Sequence, residues 1–257
     1  MTDRVSNPNL VNIARQKYEQ KQTMELPSNT VKLPSKGLVY PESSPLRSGL
    51  VDIRYMTAFD EDIVTNSTYI RDRSVYERLL DSIITTPGVS VEDIEIGDRD
   101  AILVAARIYS YGERYPVIVN ENGEETVKSI DLRKIPHKPF NNIITDENGE
   151  TDYVCENGDK LKIKFLTVKN TKKLADSEET KSTTLLQMMI AEINGNRDAN
   201  YIAEYIKYHL IAKESRLLQS YIMNNMPGLV NTELEFEGED GSTFRTTFQA
   251  GVELFWI

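Results

Sequence analysis

The spacing of apolar residues changes along the chain, and these changes constrain the fold more than any other feature of the sequence. Apolar residues recur every three or four positions in several segments of the first 113 residues and again between residues 178 and 224, as in helices. Strand-like alternation dominates two other stretches, one between these helical regions and one at the end of the chain. Because helical and strand-like stretches are segregated, the pattern predicts an α+β fold and not a doubly wound parallel sheet.

The helical stretches carry recognisable boundary signals. Thr57 is a suitable N-cap for the helix that follows it, with Asp60 in the first turn. Asp98 is a suitable cap for a later helix whose middle, AILVAA, is apolar nearly all round, and Gly112 ends that helix. The predicted helices cover 10–22, 58–64, 74–85, 98–111, 178–193, 200–209 and 213–224.

Turn dipeptides separate the strand-like stretches. A strand is predicted over 50–57, and alternation resumes from Tyr115 to Phe165. Asn-Gly pairs, which favour tight hairpin turns, occur within this second stretch at 122–123, 148–149 and 157–158. The sequence therefore predicts an antiparallel insert of two or more hairpins, followed near the end of the chain by a further β-hairpin around Asp240-Gly241 and the segment VELFWI.

These patterns divide the chain into four segments. They are an N-terminal helix with a proline-rich extended arm (1–45), a strand with a helical half (46–113), an antiparallel β insert (114–167), and a helical half with a C-terminal β-hairpin (168–257). The arm contains a strap, LPSKGLVYP (33–41), which either runs over its own domain or reaches a neighbouring chain. The tail, VELFWI (252–257), is buried either in its own core or against another subunit, and the sequence leaves both alternatives open.

Charge and cysteine content narrow the classes of partner. The 257 residues include 30 Lys and Arg against 40 Asp and Glu, for a formal net charge of −10. Because an acidic surface repels phosphate groups, we expect neither nucleic acid nor an anionic membrane as a partner. Cys155 is the one cysteine, which excludes an intramolecular disulfide and zinc sites built from several thiolates.

The N-terminal residues lack the apolar core of a signal peptide, and no apolar run has the ~18–20 residues of a membrane span.

Residues able to carry chemistry form no recognisable catalytic pattern. His137 lies in a proline-bounded loop and His209 on a predicted helix, whereas Cys155 lies within a strand, where a small buried hydrophobic residue is the usual role. The acidic runs 60–62 and 146–152 are better explained by a solvated helix start and a hairpin turn than by metal sites. We therefore predict no catalytic residue, no metal and no cofactor. A hydrolase that uses a pair of carboxylates stays open as an alternative, because acidic residues are abundant.

Several stretches, taken together, resemble the T4-type phage baseplate protein family. They occur in the family's order across nearly the whole chain, and the combination is more specific than any one of them. They are LPSKGLVYP (33–41), GLVDIRYMTAFDEDIV (49–64), DRDAILVAARIYSYGERY (98–115), KFLTV (164–168), INGNRD (193–198) and the tail VELFWI. Related proteins often carry CxxC pairs that look like zinc knuckles. The matching places here read NENG (120–123) and EGEDG (237–241), so the thiolates that zinc needs are missing.

The resemblance implies a protein of the contractile-tail baseplate hub that acts without catalysis, as a structural component or an assembly chaperone. Expected partners are other hub proteins and the tape-measure protein, and self-association is a further option. We expect the protein in the host cytoplasm during assembly, and the sequence leaves open whether it stays in the virion. The alternative is a phage hydrolase that acts on the cell wall. The residues predicted to contact partners are Leu33, Pro34, Leu38, Tyr40, Pro41, Leu254, Phe255 and Trp256.

Overall fold

The computed structural model describes residues 26–121, 124–138, 140, 143–176, 182–229, 233–237, 241, 243–247 and 250–256. Within these residues the chain has eight α-helices and several small antiparallel sheets, which confirms the α+β prediction. The helix predicted over 10–22 lies outside the described residues.

The helices are α1 (Ala58–Thr65), α2 (Ser67–Arg71), α3 (Val75–Ile83), α4 (Ile96–Tyr111), α5 (Val168–Asp176), α6 (Ser182–Met189), α7 (Ala199–Tyr208) and α8 (Ala212–Asn225). The strands are β1 (Ser28–Lys32), β2 (Leu50–Arg54), β3 (Arg114–Glu121), β4 (Glu124–Asp131), β5 (His137–Lys138), β6 (Thr151–Val154), β7 (Lys160–Ile163), β8 (Ile190–Ile193), β9 (Gly228–Leu229), β10 (Glu233–Glu237) and β11 (Thr243–Thr247). Among the described residues the sheets pair β1 with β2, β3 with β4, β5 with β9, β6 with β7 and β8, and β10 with β11.

Two hydrophobic cores organise the molecule. The first core gathers around α3, α4 and the β1–β2 pair, with Leu80, Ile102 and Leu103 fully buried. The apolar middle of α4 explains its central position, because a helix that is apolar nearly all round must be covered on most sides. The second core lies between the three-stranded sheet β6–β7–β8 and helices α6 to α8, where Ile163 and Leu218 are fully buried.

The alternating strands and their turns largely match the sequence prediction. β3 and β4 pair in register from Arg114↔Asp131 to Glu121↔Glu124, so two residues connect them, as the Asn-Gly pair at 122–123 predicts. The β6–β7 hairpin turns at Asn157-Gly158. The expected insert of two hairpins is therefore confirmed. The Asn-Gly pair at 148–149 instead lies in a loop that precedes β6.

Two other segments differ from the sequence prediction. The helix predicted to end at Ile193 ends at Met189, and the next four residues form β8, whose pairing with β7 fills that strand's free edge. Ile190 and Ile193 are buried in this strand, but their spacing of three positions also fits a helix, so their hydrophobicity did not distinguish the two conformations. The tail segment Val252–Phe255 is a 3-10 helix and not a strand. The helix α5 was not predicted, because its sequence, VKNTKKLAD, is mostly polar and contains few apolar residues that could show a helical period.

The predicted helix caps are right in one case and wrong in the other. Thr57 and Asp60 form a reciprocal capping box at the start of α1. Burial raises the pKa of Asp60, but hydrogen bonds from Arg54, Ser82 and Thr57 outweigh that effect and lower the pKa to about 2. In α4 the N-cap is Glu95 and not Asp98, because the helix begins earlier, at Ile96. Asp98 lies in the first turn of α4, where its carboxylate takes a different role.

A close backbone contact joins the start of α4 to β9. A Cβ atom added at Gly97 would lie 2.2 Å from the carbonyl oxygen of Pro227, and one added at Gly228 would lie 2.5 Å from the Cα of Gly97. Both distances are far shorter than a normal contact, and the obstructing atoms belong to the backbone. The two glycines therefore let a segment from late in the chain pack directly against the first turn of the central helix.

We predict that Gly97→Ala lowers the free energy of unfolding by about 1–3 kcal/mol, because the new methyl group must displace the Pro227–Gly228 backbone. Alanine has a higher helix propensity than glycine, so the change in propensity alone would raise stability. A measured loss of stability therefore reports the steric effect. Urea unfolding measures it. The control is Gly251→Ala, whose methyl group meets the movable Glu253 side chain instead of backbone. Equal stability of wild type and Gly97→Ala would contradict the close contact.

Candidate partner-binding site

The strap 33–41 is fastened to α4 by one carboxylate. The backbone N–H of Ser35 donates to Asp98 Oδ1 at 2.9 Å, and the Ser35 hydroxyl donates to Asp98 Oδ2 at 2.5 Å. The Tyr40 hydroxyl donates to the same oxygen at 2.7 Å. Ser35 and Asp98 are fully buried, so this network is shielded from water and holds both ends of the strap against its own chain.

Further contacts fasten the strap from the other side. The Arg47 guanidinium donates to the carbonyl oxygens of Leu38 and Tyr40 at 2.9 and 2.8 Å. The Thr145 hydroxyl donates to the Leu38 carbonyl oxygen at 2.8 Å. Gly37 has a φ of +79°, and an added Cβ there would lie 2.3 Å from the Arg47 carbonyl oxygen. The strap thus runs over its own chain, which is one of the two alternatives left open by the sequence.

Glu95 is a second buried carboxyl group beside Asp98. Its Oε2 accepts a hydrogen bond from the Asp98 backbone N–H at 3.0 Å, whereas Oε1 has no hydrogen-bond partner among the described residues. Burial, together with the nearby Asp98 charge, raises the pKa of Glu95 well above its ordinary value. Burial also raises the pKa of Asp98, although the hydrogen bonds from Ser35 and Tyr40 counteract part of that effect. Glu95 therefore holds its proton more readily than an ordinary glutamate does.

Backbone pairing fixes Glu95 at the junction of the two cores. Glu95 forms an antiparallel β-bridge with Thr167, which lies between β7 and α5. The Ile96 N–H donates to the Leu166 carbonyl oxygen at 3.1 Å, and the Val168 N–H donates to the Ile94 carbonyl oxygen at 2.9 Å. The segment that begins α4 in the first core is thereby paired with the segment that leaves the second core.

A cavity of about 460 Å³ opens at this junction, and we call it the strap pocket. Its walls come from the strap and the following residues 39–46, the turn at 88–95, and residues from 148–150 and 164–167. Glu95 is part of the wall. A second cavity of about 450 Å³ shares Glu150 and Lys164 with it and extends toward α6 and α7. The bidentate pair between Glu150 and Arg197 lines this second cavity.

The tail is held by a buried arginine near the end of α4. Arg107 Nε donates to the Leu254 carbonyl oxygen at 2.7 Å, and the two other guanidinium nitrogens donate to the Gly112 and Arg114 carbonyl oxygens. Burial lowers the pKa of Arg107. The Trp256 indole N–H donates to the Val64 carbonyl oxygen at 3.3 Å, although 47% of the Trp256 residue is exposed.

The eight residues predicted to contact partners fall into two groups. Four are buried in the chain's own first core: Leu33, Tyr40, Leu254 and Phe255. Their side chains support the strap and tail from inside and are not accessible to a partner in this conformation. Four retain exposed surface: Pro34 and Leu38 are half-buried, and Pro41 and Trp256 are exposed.

The sequence prediction missed the buried polar residues that build this region, Ser35, Glu95 and Arg107. A signal was present for two of them. Glu95 stands between two isoleucines just before a helix, and Arg107 interrupts the apolar run of α4. A charged residue in such surroundings is rarely buried without dedicated partners.

Two other residues considered for chemistry, Cys155 and Asp146, do not line the strap pocket. Cys155 is buried, and burial together with Glu214 raises the pKa of its thiol to about 12, which disfavours the nucleophilic thiolate. Asp146 accepts a hydrogen bond from Lys162 and closes a turn.

Across the described part of the chain, no group of three or more His, Cys, Asp or Glu is arranged to hold a metal ion. None of the helices that the structure describes is long and apolar enough to cross a membrane.

The comparisons with known proteins identified a family for the chain. A family model described as T4 bacteriophage base plate protein matches residues 26–212, which include the strap, the whole of α4 and both cores up to the start of α8. The search of curated proteins and the search of solved structures returned no match.

We predict that Tyr40→Phe lowers the free energy of unfolding by about 1–3 kcal/mol, because it leaves Asp98 without one donor and the buried Glu95 N–H without its acceptor. Urea unfolding at neutral pH measures the change. Tyr201→Phe is the matched control: this partly exposed tyrosine lies on α7, and its change should stay within about 0.5 kcal/mol. A Tyr40→Phe protein as stable as the wild type would show that the hydroxyl does not fasten the strap.

Proposed function

Because the chain belongs to the T4 bacteriophage base plate protein family, we propose that it is a hub protein of the phage tail baseplate that works by binding other proteins and not by catalysis. It acts during assembly of the central hub, either as a component that stays in the virion or as a chaperone that leaves. Its direct partners are other hub proteins, and the tape-measure protein is a further partner of the same kind.

The observation that carries this proposal is the extent of the family match. Residues 26–212 contribute to both cores and to the junction between them, so the match concerns the body of the molecule and not a short motif. The acidic charge of −10 supports protein partners over nucleic acid, since phosphate backbones attract basic surfaces.

We place the partner contacts on the accessible parts of the strap and tail. Pro41 and Trp256 are exposed, and the elements that carry them are fixed by the Asp98 network and by Arg107. A fixed exposed side chain loses little conformational entropy on binding, which favours a strong contact. Tryptophan in particular is enriched among residues that dominate binding energy at protein interfaces.

A binding experiment tests both the function and the surface. We expect the tagged full-length chain, co-expressed with the hub and tape-measure proteins of the same phage, to retain at least one of them. Trp256→Ala and Pro41→Ala should each weaken that retention at least tenfold. Tyr208→Ala is the matched control, because this tyrosine is 69% exposed but lies on α7 beside the second core, and it should bind as the wild type does.

The outcomes separate the two parts of the proposal. If both variants bind as tightly as the wild type, the chosen surface is wrong while the function stands. If the wild-type chain retains none of the hub or tape-measure proteins, the function itself is wrong. Mass spectrometry of purified particles then distinguishes a virion component from an assembly chaperone, because only the former stays in the particle.

One observation favours the alternative of a cell-wall hydrolase. Glu95 lines a cavity and has a raised pKa, as a general acid requires. A hydrolase of this type also needs a second carboxylate that reaches the substrate, and Asp98 is fully buried with both oxygens bonded to the strap. This geometry favours a structural role for Asp98 and leaves the exposed Asp93, which also lines the cavity, as the carboxylate that such a hydrolase would need.

We expect no clearing when the purified protein is tested on a gel that contains cell-wall peptidoglycan, with lysozyme as the positive control. Clearing by the wild type that disappears in Glu95→Gln would replace the binding function by a hydrolase with Glu95 as its acid. Glu92→Gln serves as the matched variant, because Glu92 is an exposed carboxylate three residues before Glu95 and does not line the cavity.

A further inference from the structure

The strap pocket contains a buried carboxyl group with unused hydrogen-bonding capacity. Glu95 is 1% exposed, and its Oε1 has no partner among the described residues. A buried polar atom without a partner costs about 1–3 kcal/mol, so native structures rarely keep one without a reason. Neither carboxylate oxygen of Asp98 lacks a partner, since three donors already bind them. Glu95 is therefore the member of the pair that can still accept a donor.

We propose that the strap pocket receives an arginine side chain of a partner protein, with Glu95 as the carboxylate that binds its guanidinium group. This inference rests on the proposed function, because it names one chemical determinant of the partner. The strap supplies one wall and the turn at 88–95 another, so the bound side chain contacts the two segments that Asp98 and Tyr40 hold together.

The composition of the wall suits a guanidinium group better than an ammonium group. Ser43, Ser44 and Ser90 provide oxygen acceptors around the cavity, and Pro41 and Phe165 provide apolar surface. Arginine carries five N–H donors in a planar fork, stacks on apolar and aromatic surfaces, and is more weakly hydrated than lysine. A pocket with several acceptors and a partly apolar wall therefore selects arginine.

The other charged groups around Glu95 are consistent with a cationic ligand. Asp98 and Asp100 add negative charge beside it, and Asp93 lines the same cavity. The pocket's basic residue is Lys164, on the wall shared with the second cavity. Glu150, on that same wall, is already bound at both oxygens by Arg197. The negative charge that Arg197 does not already bind thus lies on the side formed by 90–95.

Binding of a cation should change the protonation of Glu95. Without a ligand, burial and the neighbouring Asp98 favour the protonated form, which is why the pKa of Glu95 is raised. A guanidinium group beside the carboxyl group favours the ionised form. Arginine binding therefore releases a proton, and its affinity should rise as the pH is increased from 6 to 8.

The test uses the full-length protein and N-acetyl-arginine amide as the probe, followed by NMR of backbone amides. We expect saturable shifts confined to residues of the pocket wall, such as Gly88, Ser90 and Thr167. N-acetyl-citrulline amide, the neutral isostere, should bind at least tenfold more weakly, and so should N-acetyl-lysine amide. Wild-type affinity for the arginine probe should be at least threefold higher at pH 8 than at pH 6.

Variants locate the binding group. Glu95→Gln should weaken arginine binding at least tenfold, and Glu92→Gln should leave it unchanged. Equal binding of citrulline or lysine, retained binding in Glu95→Gln, or no shift in the wild type would each overturn the arginine pocket. The comparison of arginine with citrulline needs no variant, so it decides the matter even if Glu95→Gln fails to fold. The retention of hub proteins by the wild type is measured separately. It shows whether the proposed function still holds if the arginine pocket is overturned.

Discussion

The Asp98 carboxylate is the contact on which the rest of the structure depends. It is fully buried, and it accepts two hydrogen bonds from Ser35 and one from Tyr40. A buried carboxylate is costly unless its oxygens are satisfied, so this network both requires the strap and holds it in place. Once the strap is in place, Leu33 and Tyr40 complete the first core and the segment that follows forms one wall of the strap pocket.

Helix α4 connects this contact to the rest of the chain. Its first turn carries Asp98, which binds the strap, and Gly97, which packs against β9. Near its end Arg107 binds the carbonyl oxygen of Leu254 in the tail. Segments from both the early and the late parts of the chain are thus fastened to one buried helix. This arrangement explains how short sheets of two or three strands, marginal by themselves, form a stable molecule.

The functional surface follows from the same arrangement. A strap and a tail that are tied to α4 present Pro41 and Trp256 from fixed positions, while Leu33, Tyr40, Leu254 and Phe255 are buried. The strap pocket lies where the β-bridge between Glu95 and Thr167 joins the two cores. A partner that binds there contacts the segments 88–95 and 164–167, which this bridge pairs, and that suits a protein that joins other components in an assembly.

Sequence by itself determined the α+β class, most helices, the hairpins and the family, because these depend on local spacing, capping and turn residues. It placed the cap at Thr57 correctly and predicted the helix over 200–209 that the structure has as α7. It wrongly predicted a helix at 190–193, because Ile190 and Ile193 lie three positions apart and so also fit the period of a helix.

Only the tertiary structure decided which apolar residues of the strap and tail are covered by their own chain. That outcome depends on contacts between residues as distant as Ser35 and Asp98 or Arg107 and Leu254. The same holds for Glu95, whose unmatched oxygen is a property of its three-dimensional surroundings. Local sequence patterns carry no information about such pairings, because the partners meet only after the whole chain has folded.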